Sequence, residues 1–177
     1  MKASVFVAAS LDGFIARENH DIDWLTVYQE EYPNEDYGFQ EFIDTVDFLV
    51  MGRASYDVVA AFESWPYGET PVVVLSTREL DRPPHIPPQV ERMSCSPAEC
   101  VGRLAQRGAR RLYVDGGKTI QAFLRAGLIN DLTITRIPII LGSGIPLFGP
   151  LAMEVKLRHL ATRAYSNGLV RNDYEVV

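Results

Sequence analysis

No stretch of this sequence stays apolar for the roughly 18 residues that a membrane-crossing helix requires. The opening, Met1 to Ser10, has a short apolar stretch that Leu11-Asp12-Gly13 breaks into a turn. It reads as a first buried strand rather than a signal peptide, so a cytoplasmic protein is expected. Cysteine is scarce: Cys95 and Cys100 are the only two. Two thiols cannot build a disulfide framework, and nothing points to an oxidising compartment. His20, His85 and His159 are far apart, and neither HExxH nor CxxC occurs, so no metal site is expected. A basic excess is missing as well. The net charge is -6 and the pI about 5.1, which argues against a nucleic-acid partner but leaves room for a local basic pocket. Neither named phosphate motif, GxGxxG or the Walker loop, is present.

What remains is an ordinary globular composition. The chain has 177 residues, 47% hydrophobic and 23% charged, which suits one domain over residues 1–177. Residues 3–9 are small and apolar throughout, as in a strand covered on both faces. Further buried strands are expected at Phe48–Met51, Val72–Leu75, Arg111–Val114 and Leu132–Ile140. Helices are expected between them. Phe39, Phe42, Ile43 and Val46 fall at i, i+3, i+4 and i+7, which predicts an amphipathic helix over 34–45 with Asn34 as its cap. Others are expected over 54–61, from Ser96-Pro97 to about Gly108, and over 119–126. Residues 82–97, rich in proline, read as an irregular connection with a short strand at Val90–Met93. The tail alternates apolar and polar residues around Asn167-Gly168, a hairpin signal. Strand–helix units followed by an antiparallel end predict a three-layer α/β fold with a mixed, mostly parallel sheet.

Three strand ends carry chemistry. After Phe48–Met51 come Gly52, Arg53 and Ser55 at a helix start, where exposed amides and the helix dipole favour a phosphate. Asp115-Gly116-Gly117-Lys118-Thr119 repeats the theme, with two glycines that allow close backbone approach. Ser76-Thr77-Arg78 follows a third strand. Each alone is also explained by a capped helix, a tight turn or a surface loop. Ligands of open α/β sheets bind beyond the carboxyl ends of strands, so Arg53, Arg78 and Lys118 would together make a cationic pocket in an acidic protein. On the helix 34–45, Glu35 and Asp36 both border the apolar face; spacing does not choose between them as a carboxylate facing a pocket.

In order, these segments resemble the dihydrofolate-reductase-like superfamily, and within it the reductase domain of bacterial riboflavin biosynthesis and stand-alone proteins similar to it. The matching pieces are Ala8 to Ala16, Asp23-Trp24-Leu25, Met51 to Tyr56, Val74-Leu75-Ser76, Val114 to Gly117, and Pro138 to Phe148. They span nearly the whole chain. The resemblance implies an NADPH-dependent reductase. Ala8, Ile15 and Ala16 would line the nicotinamide, and Arg17 to Trp24 would be a mobile loop closing over it. Gly52, Arg53 and Ser55 would hold phosphates, and Leu75, Ser76 and Thr77 would border the adenosine. Arg53, Arg78 and Lys118 are candidates for a 2′-phosphate. Asp115, Gly116, Gly117, Lys118, Thr119 and Ile120 would complete the cofactor site, with Gly116-Gly117 against the pyrophosphate through a cis peptide. Asp36 and Thr135 would be the catalytic acid and its hydrogen-bonding threonine, and Trp24 and Phe39 would meet the substrate.

The nearest activities this implies are reduction of dihydrofolate and of 5-amino-6-(5-phosphoribosylamino)uracil. No deaminase signature accompanies the reductase pattern. A reductase of the same fold with another small substrate, an NADP-binding regulatory protein without turnover, and a homodimeric scaffold are the rival readings. The resemblance also suggests a homodimer. The apolar run Ile137–Leu141 near Phe148 would serve its interface or, as buried strands do, the core.

Overall fold

A computed structural model describes residues 1–177, apart from the side chain of Gln29. Eight strands form one sheet in the order β5-β4-β3-β6-β1-β7-β10-β9. In chain order the strands are β1 (Lys2–Ser10), β2 (Phe14–Ala16), β3 (Phe48–Gly52), β4 (Val72–Leu75), β5 (Val90–Met93), β6 (Arg111–Asp115), β7 (Asp131–Ile137), β8 (Ile145–Pro146), β9 (Leu157–Ala164) and β10 (Val170–Val176). The helices are α1 (Asp23–Glu31), α2 (Phe39–Ile43), α3 (Arg53–Val59), α4 (Pro97–Gln106) and α5 (Gly117–Arg125). Strands β5 to β7 pair in parallel, and β10 and β9 close the sheet antiparallel. A two-stranded sheet joins β2 to β8.

Side chains alternate across each strand, and this assigns the two covered faces. Val5, Val7, Val50, Leu112 and Val114 point to one face, where α4 and α5 bury Leu104, Ile120 and Phe123. Phe6, Leu49, Met51, Val74 and Tyr113 point to the other, where α2 and α3 bury Phe42, Ile43, Tyr56 and Val59. The expected three layers follow. Among the described residues no helix is long and apolar enough to cross a membrane.

The elements depart from expectation where the backbone overrides the apolar pattern. The helix expected over 34–45, with Asn34 as cap, is only Phe39–Ile43. Tyr37 and Gly38 have φ of 55° and 83°, outside helical space. The Asp36 carboxylate instead accepts the Gly38 and Gln40 amides, each at 2.9 Å, and so caps the shorter helix. The stretch after Asp23 contains a helix, α1, that the sequence pattern did not show. Strand β7 stops at Ile137 because Pro138 has no N–H to continue a ladder. The run Ile137–Leu141 is therefore divided: Ile137 is buried and Ile140 is 70% exposed. The hairpin at Asn167-Gly168 is present, with Tyr165 N–H donating to Leu169 O at 2.9 Å and Gly168 at φ 87°.

Candidate active-site cleft

The turn Ser10-Leu11-Asp12-Gly13 sets one wall of a cleft. Ser10 Oγ donates to Asp12 Oδ1 at 2.6 Å and accepts the Phe14 amide at 2.9 Å. Asp12 in turn accepts the amides of Leu141 and Gly142 at 3.1 and 2.8 Å. These bonds lower its pKa, the Ser10 hydroxyl most. Asp12 thus ties the end of β1 to the segment leading into β8.

The other wall forms where β3 and β6 lie side by side and each feeds a helix. Gly52 is the N-cap of α3 and Gly116 that of α5. A Cβ on Gly116 would lie 2.2 Å from Ser55 Oγ, and one on Gly52 would lie 2.7 Å from Thr119 Oγ1. The two helix starts therefore touch, and only glycine permits the contact. Gly116 has φ 88° and ψ 135°, backbone space that other residues seldom enter. A Cβ on Gly117 would meet Pro146 O at 3.0 Å and Ile15 Cδ1 at 3.2 Å, so this glycine seats the small sheet against α5. The cis peptide expected at Gly116-Gly117 is absent: among the described residues no peptide bond is cis.

Between these walls lies a cleft of about 1160 Å³. Beside β1 and β2 it is lined by Ala8, Ile15 and Ala16, and at the strand ends by Gly52, Arg53, Ser55 and Leu75. Asp115, Gly116, Gly117, Lys118 and Thr119 line it too, as do Arg78, Phe39, Asp36 and Thr135. Ser76 and Thr77 line an adjoining recess of about 370 Å³ shared with Arg53, Leu75, Arg78 and Cys95. Two expected residues lie elsewhere. Ile120 is fully buried on the inward face of α5, and Trp24 is buried against Ile137 and Leu169. From α1 it is Leu25 and Tyr28 that reach the cleft.

Charge divides the cleft. Arg53 is held by Asp57, at 2.7 Å, and by Glu79 O, at 2.5 Å, which leaves less of its charge for a ligand. Among the described residues no carboxylate pairs with Arg78 or Lys118, both exposed. The segment expected as a mobile loop folds on itself: Arg17 grips Asp23 at 2.6 and 3.1 Å, and Arg17 N–H donates to Asp21 O. Asn19, His20 and Ile22 of this segment border the cleft.

The expected acid pair is not formed. Asp36 is exposed, and the Gln40 and Gly38 amides that it caps lower its pKa, the opposite of what a proton donor at neutral pH needs. No hydrogen bond joins it to Thr135, whose buried hydroxyl has no partner. Asp115 is the carboxyl with the reverse property. It ends β6 on the face shared with Phe6 and Tyr113 and opens onto the cleft. Burial pushes its pKa up to about 6, although the Gly116 amide and the Tyr113 hydroxyl favour its charged form. The Tyr113 hydroxyl donates to Phe6 O at 2.9 Å. It also lies 3.4 Å from Asp115 Oδ1, the longer and weaker of its two donor contacts.

The RibD C-terminal domain family matches residues 2–171, and the chain belongs to it. The protein YwjB of Bacillus subtilis (strain 168) is 33% identical over 171 residues, covering 95% of this chain and 94% of its own. The crystal structure of a putative riboflavin biosynthesis protein from Shewanella sp. PV-4 superposes with a TM-score of 0.90 at 36% identity, covering 100% of this chain and 99% of that one. Dihydrofolate reductase from Enterococcus faecalis, complexed with NADP(H) and RAB-propyl, superposes with a TM-score of 0.66 at 15% identity, covering 99% and 96%. The fold is therefore dihydrofolate-reductase-like.

Two outcomes follow from this geometry. Gly116→Ala must strain φ and displace Ser55; chemical denaturation should show a loss of about 1–3 kcal/mol, the usual cost of such backbone. Replacing Ser55 by glycine as well should recover only part of it, and full recovery would mean that φ carries no strain. The second concerns pH. Asp115 has a folded pKa near 6 against 3.8 for the free group, so between these values the folded state holds the extra proton. Stability from this group is present below about pH 4 and lost as pH rises through 6. In Asp115→Asn the decline should vanish from denaturation midpoints measured across that window.

Proposed function

We propose that this protein is an NADPH-dependent reductase that passes hydride to a small heterocyclic substrate. The observation that carries the reading is the junction of the two helix starts, bare of side chains at Gly52, Gly116 and Gly117, beside unpaired cations at the strand ends. The start of α5 suits a phosphate group, because its first amides and the helix dipole favour an anion beside Lys118 on the cleft lining. The family and the NADP(H) complex of the enterococcal enzyme support the choice of ligand.

The residues present fit the cofactor. Gly116, Gly117, Lys118 and Thr119 would hold its pyrophosphate at the start of α5. Leu75, Ser76 and Thr77 would border the adenosine, and Arg78 would pair with the 2′-phosphate bidentately. Ala8, Ile15 and Ala16 would leave a flat, apolar bed for the nicotinamide, which supplies the hydride when bound. Asp115 takes the role first assigned to Asp36. With a pKa near 6, its carboxyl holds a proton in part of the population near neutral pH and can donate it at the cleft floor.

Calorimetry and NADPH oxidation test this. NADPH should bind more tightly than NADH. Arg78→Ala should weaken NADPH by about tenfold or more, as loss of a charged hydrogen bond of about 1.5–3 kcal/mol implies, and leave NADH unchanged. Asp115→Asn should cut turnover by about 10²–10⁴ while NADPH binding persists. Unchanged turnover in that variant would remove Asp115 from the chemistry, and absence of NADPH binding would remove the reading itself.

A further inference from the structure

Strands β1 and β6 pair only at Lys2↔Arg111, Ala3↔Leu112 and Ser4↔Tyr113. Their other neighbours follow them further: β1 pairs with β7 as far as Ser10↔Ile137, and β6 with β3 as far as Asp115↔Met51. The two strands therefore part beyond Ser4 and Tyr113. The cleft opens along the parting, lined by Phe6, Val7 and Ala8 on one side and by Tyr113 and Asp115 on the other. In an unbroken ladder of the same register Phe6 would face Asp115. The Tyr113 hydroxyl instead spans the gap and donates to Phe6 O at 2.9 Å.

Packing holds this ring in place. Tyr113 is 5% exposed, and the rings of Phe42 and Phe39 stand edge-on to it with centroids 5.1 and 6.3 Å away. Asp115 lies two residues on, and so on the same face of β6, with its Oδ1 3.4 Å from the phenol oxygen. A phenol carries one proton, which turns about the C–O bond while the ring stays still. Phe6 O and the Asp115 carboxyl therefore compete for it. The shorter contact is with Phe6 O, so the carbonyl holds the proton while Asp115 is neutral. A carboxylate is the stronger acceptor, and it draws the proton once Asp115 ionises.

The other groups around this pair leave the exchange undisturbed. The segment beyond α3 contributes Tyr67, kept protonated by burial and then by the Asp115 charge. The same two causes, in the same order, keep Tyr113 protonated. From β1 the neighbours are Phe6 and Ala8, and from α2 Phe39, none of them ionisable. Asp36 also lines the cleft, but its carboxylate is held on the Gly38 and Gln40 amides. Arg53 and Lys118 line it at the starts of α3 and α5, and among the described residues neither bonds to Asp115. Against the burial that raises the Asp115 carboxyl stand the Gly116 amide and the Tyr113 hydroxyl.

We infer that Tyr113 is a positioning residue for Asp115: its hydroxyl, fixed across the parting of β1 and β6, turns from Phe6 O to the Asp115 carboxylate when that group gives up its proton. This rests on the reductase reading, in which Asp115 supplies the proton, and adds the group that answers the charge left behind. In the step the Asp115 O–H bond breaks and its proton passes to the substrate. The Tyr113 proton stays on its own oxygen and changes only its acceptor. A proton from water later restores the acid. The hydrogen bond that the carboxylate gains lowers the cost of ionising a buried acid, and the packed ring keeps donor and carboxyl in one place.

The Asp115 carboxyl carbon reports this directly. Protein carrying carbon-13-labelled aspartate is titrated by NMR across about pH 4 to 9 without ligand, and the Asp115 signal is the one missing in Asp115→Asn. The wild type should show a midpoint near 6. Tyr113→Phe keeps the ring and removes the hydroxyl; its midpoint should rise by about half a pH unit or more, the worth of one hydrogen bond. 3-Fluorotyrosine placed at position 113 alone is a stronger donor and should lower the midpoint. A midpoint that stays or falls in Tyr113→Phe overturns the inference, as does one of about 4 in the wild type. A rise in Tyr113→Phe without a fall for 3-fluorotyrosine also overturns it, since packing rather than the hydroxyl would then set the midpoint. Should Tyr113→Phe not fold, the 3-fluorotyrosine protein decides alone. NADPH oxidation reads the reductase proposal separately. If the midpoints do not move, only the inference fails and the reading of Asp115 stands; if Asp115→Asn oxidises NADPH like the wild type, that reading fails and the inference falls with it.

Discussion

The main chain at Gly116 packs against the Ser55 hydroxyl, and the rest of the site depends on this contact. A Cβ at Gly116 would come within 2.2 Å of that oxygen. Parallel pairing of β3 with β6 brings two helix starts to the same edge of the sheet, and the missing side chains let them meet there. The same economy of side chains at Gly117 seats β2 and β8 against α5, and Asp12 fixes the opposite wall through the Leu141 and Gly142 amides. The cleft is the space these constraints leave.

Its chemistry then divides by charge. Cations stand where β3, β4 and β6 end. The region over β1, β6 and β7 is aromatic and carries carboxyls. Two carboxyls in one cleft are driven apart by their surroundings: amides hold Asp36 charged as a helix cap, while burial keeps Asp115 closer to neutral. Pairs of titratable groups separated in this way are how a fold assigns acid and anchor roles. On this account the acid is the group buried at the floor.

Much of this was legible in the chain. Strands β1, β3, β4 and β6 are covered on both faces, so they appear as unbroken apolar runs, and the glycines beyond β3 and β6 mark the two helix starts. The hairpin was legible because Asn167-Gly168 names its own turn. What was illegible depends on backbone or on distant packing. The apolar spacing of Phe39, Phe42, Ile43 and Val46 continues through a region where Tyr37 and Gly38 leave helical space, so the pattern overstated α2. The short helix α1 offered too few apolar positions to show. Ile120 and Trp24 stood next to site residues in sequence but point into the core. Asp115 was visible as a strand-end residue, yet its raised pKa comes from burial contributed by segments far away in the chain.

The central claim is that the junction of α3 and α5 is the seat of a nicotinamide dinucleotide. A crystal structure of the protein with NADP⁺ tests it most directly. The account predicts the pyrophosphate against Gly116-Gly117, the 2′-phosphate at Arg78 and the nicotinamide on Ala8, with Asp115 beside the ring's open face. A dinucleotide bound with its pyrophosphate away from Gly116, or its nicotinamide away from Ala8, would contradict it.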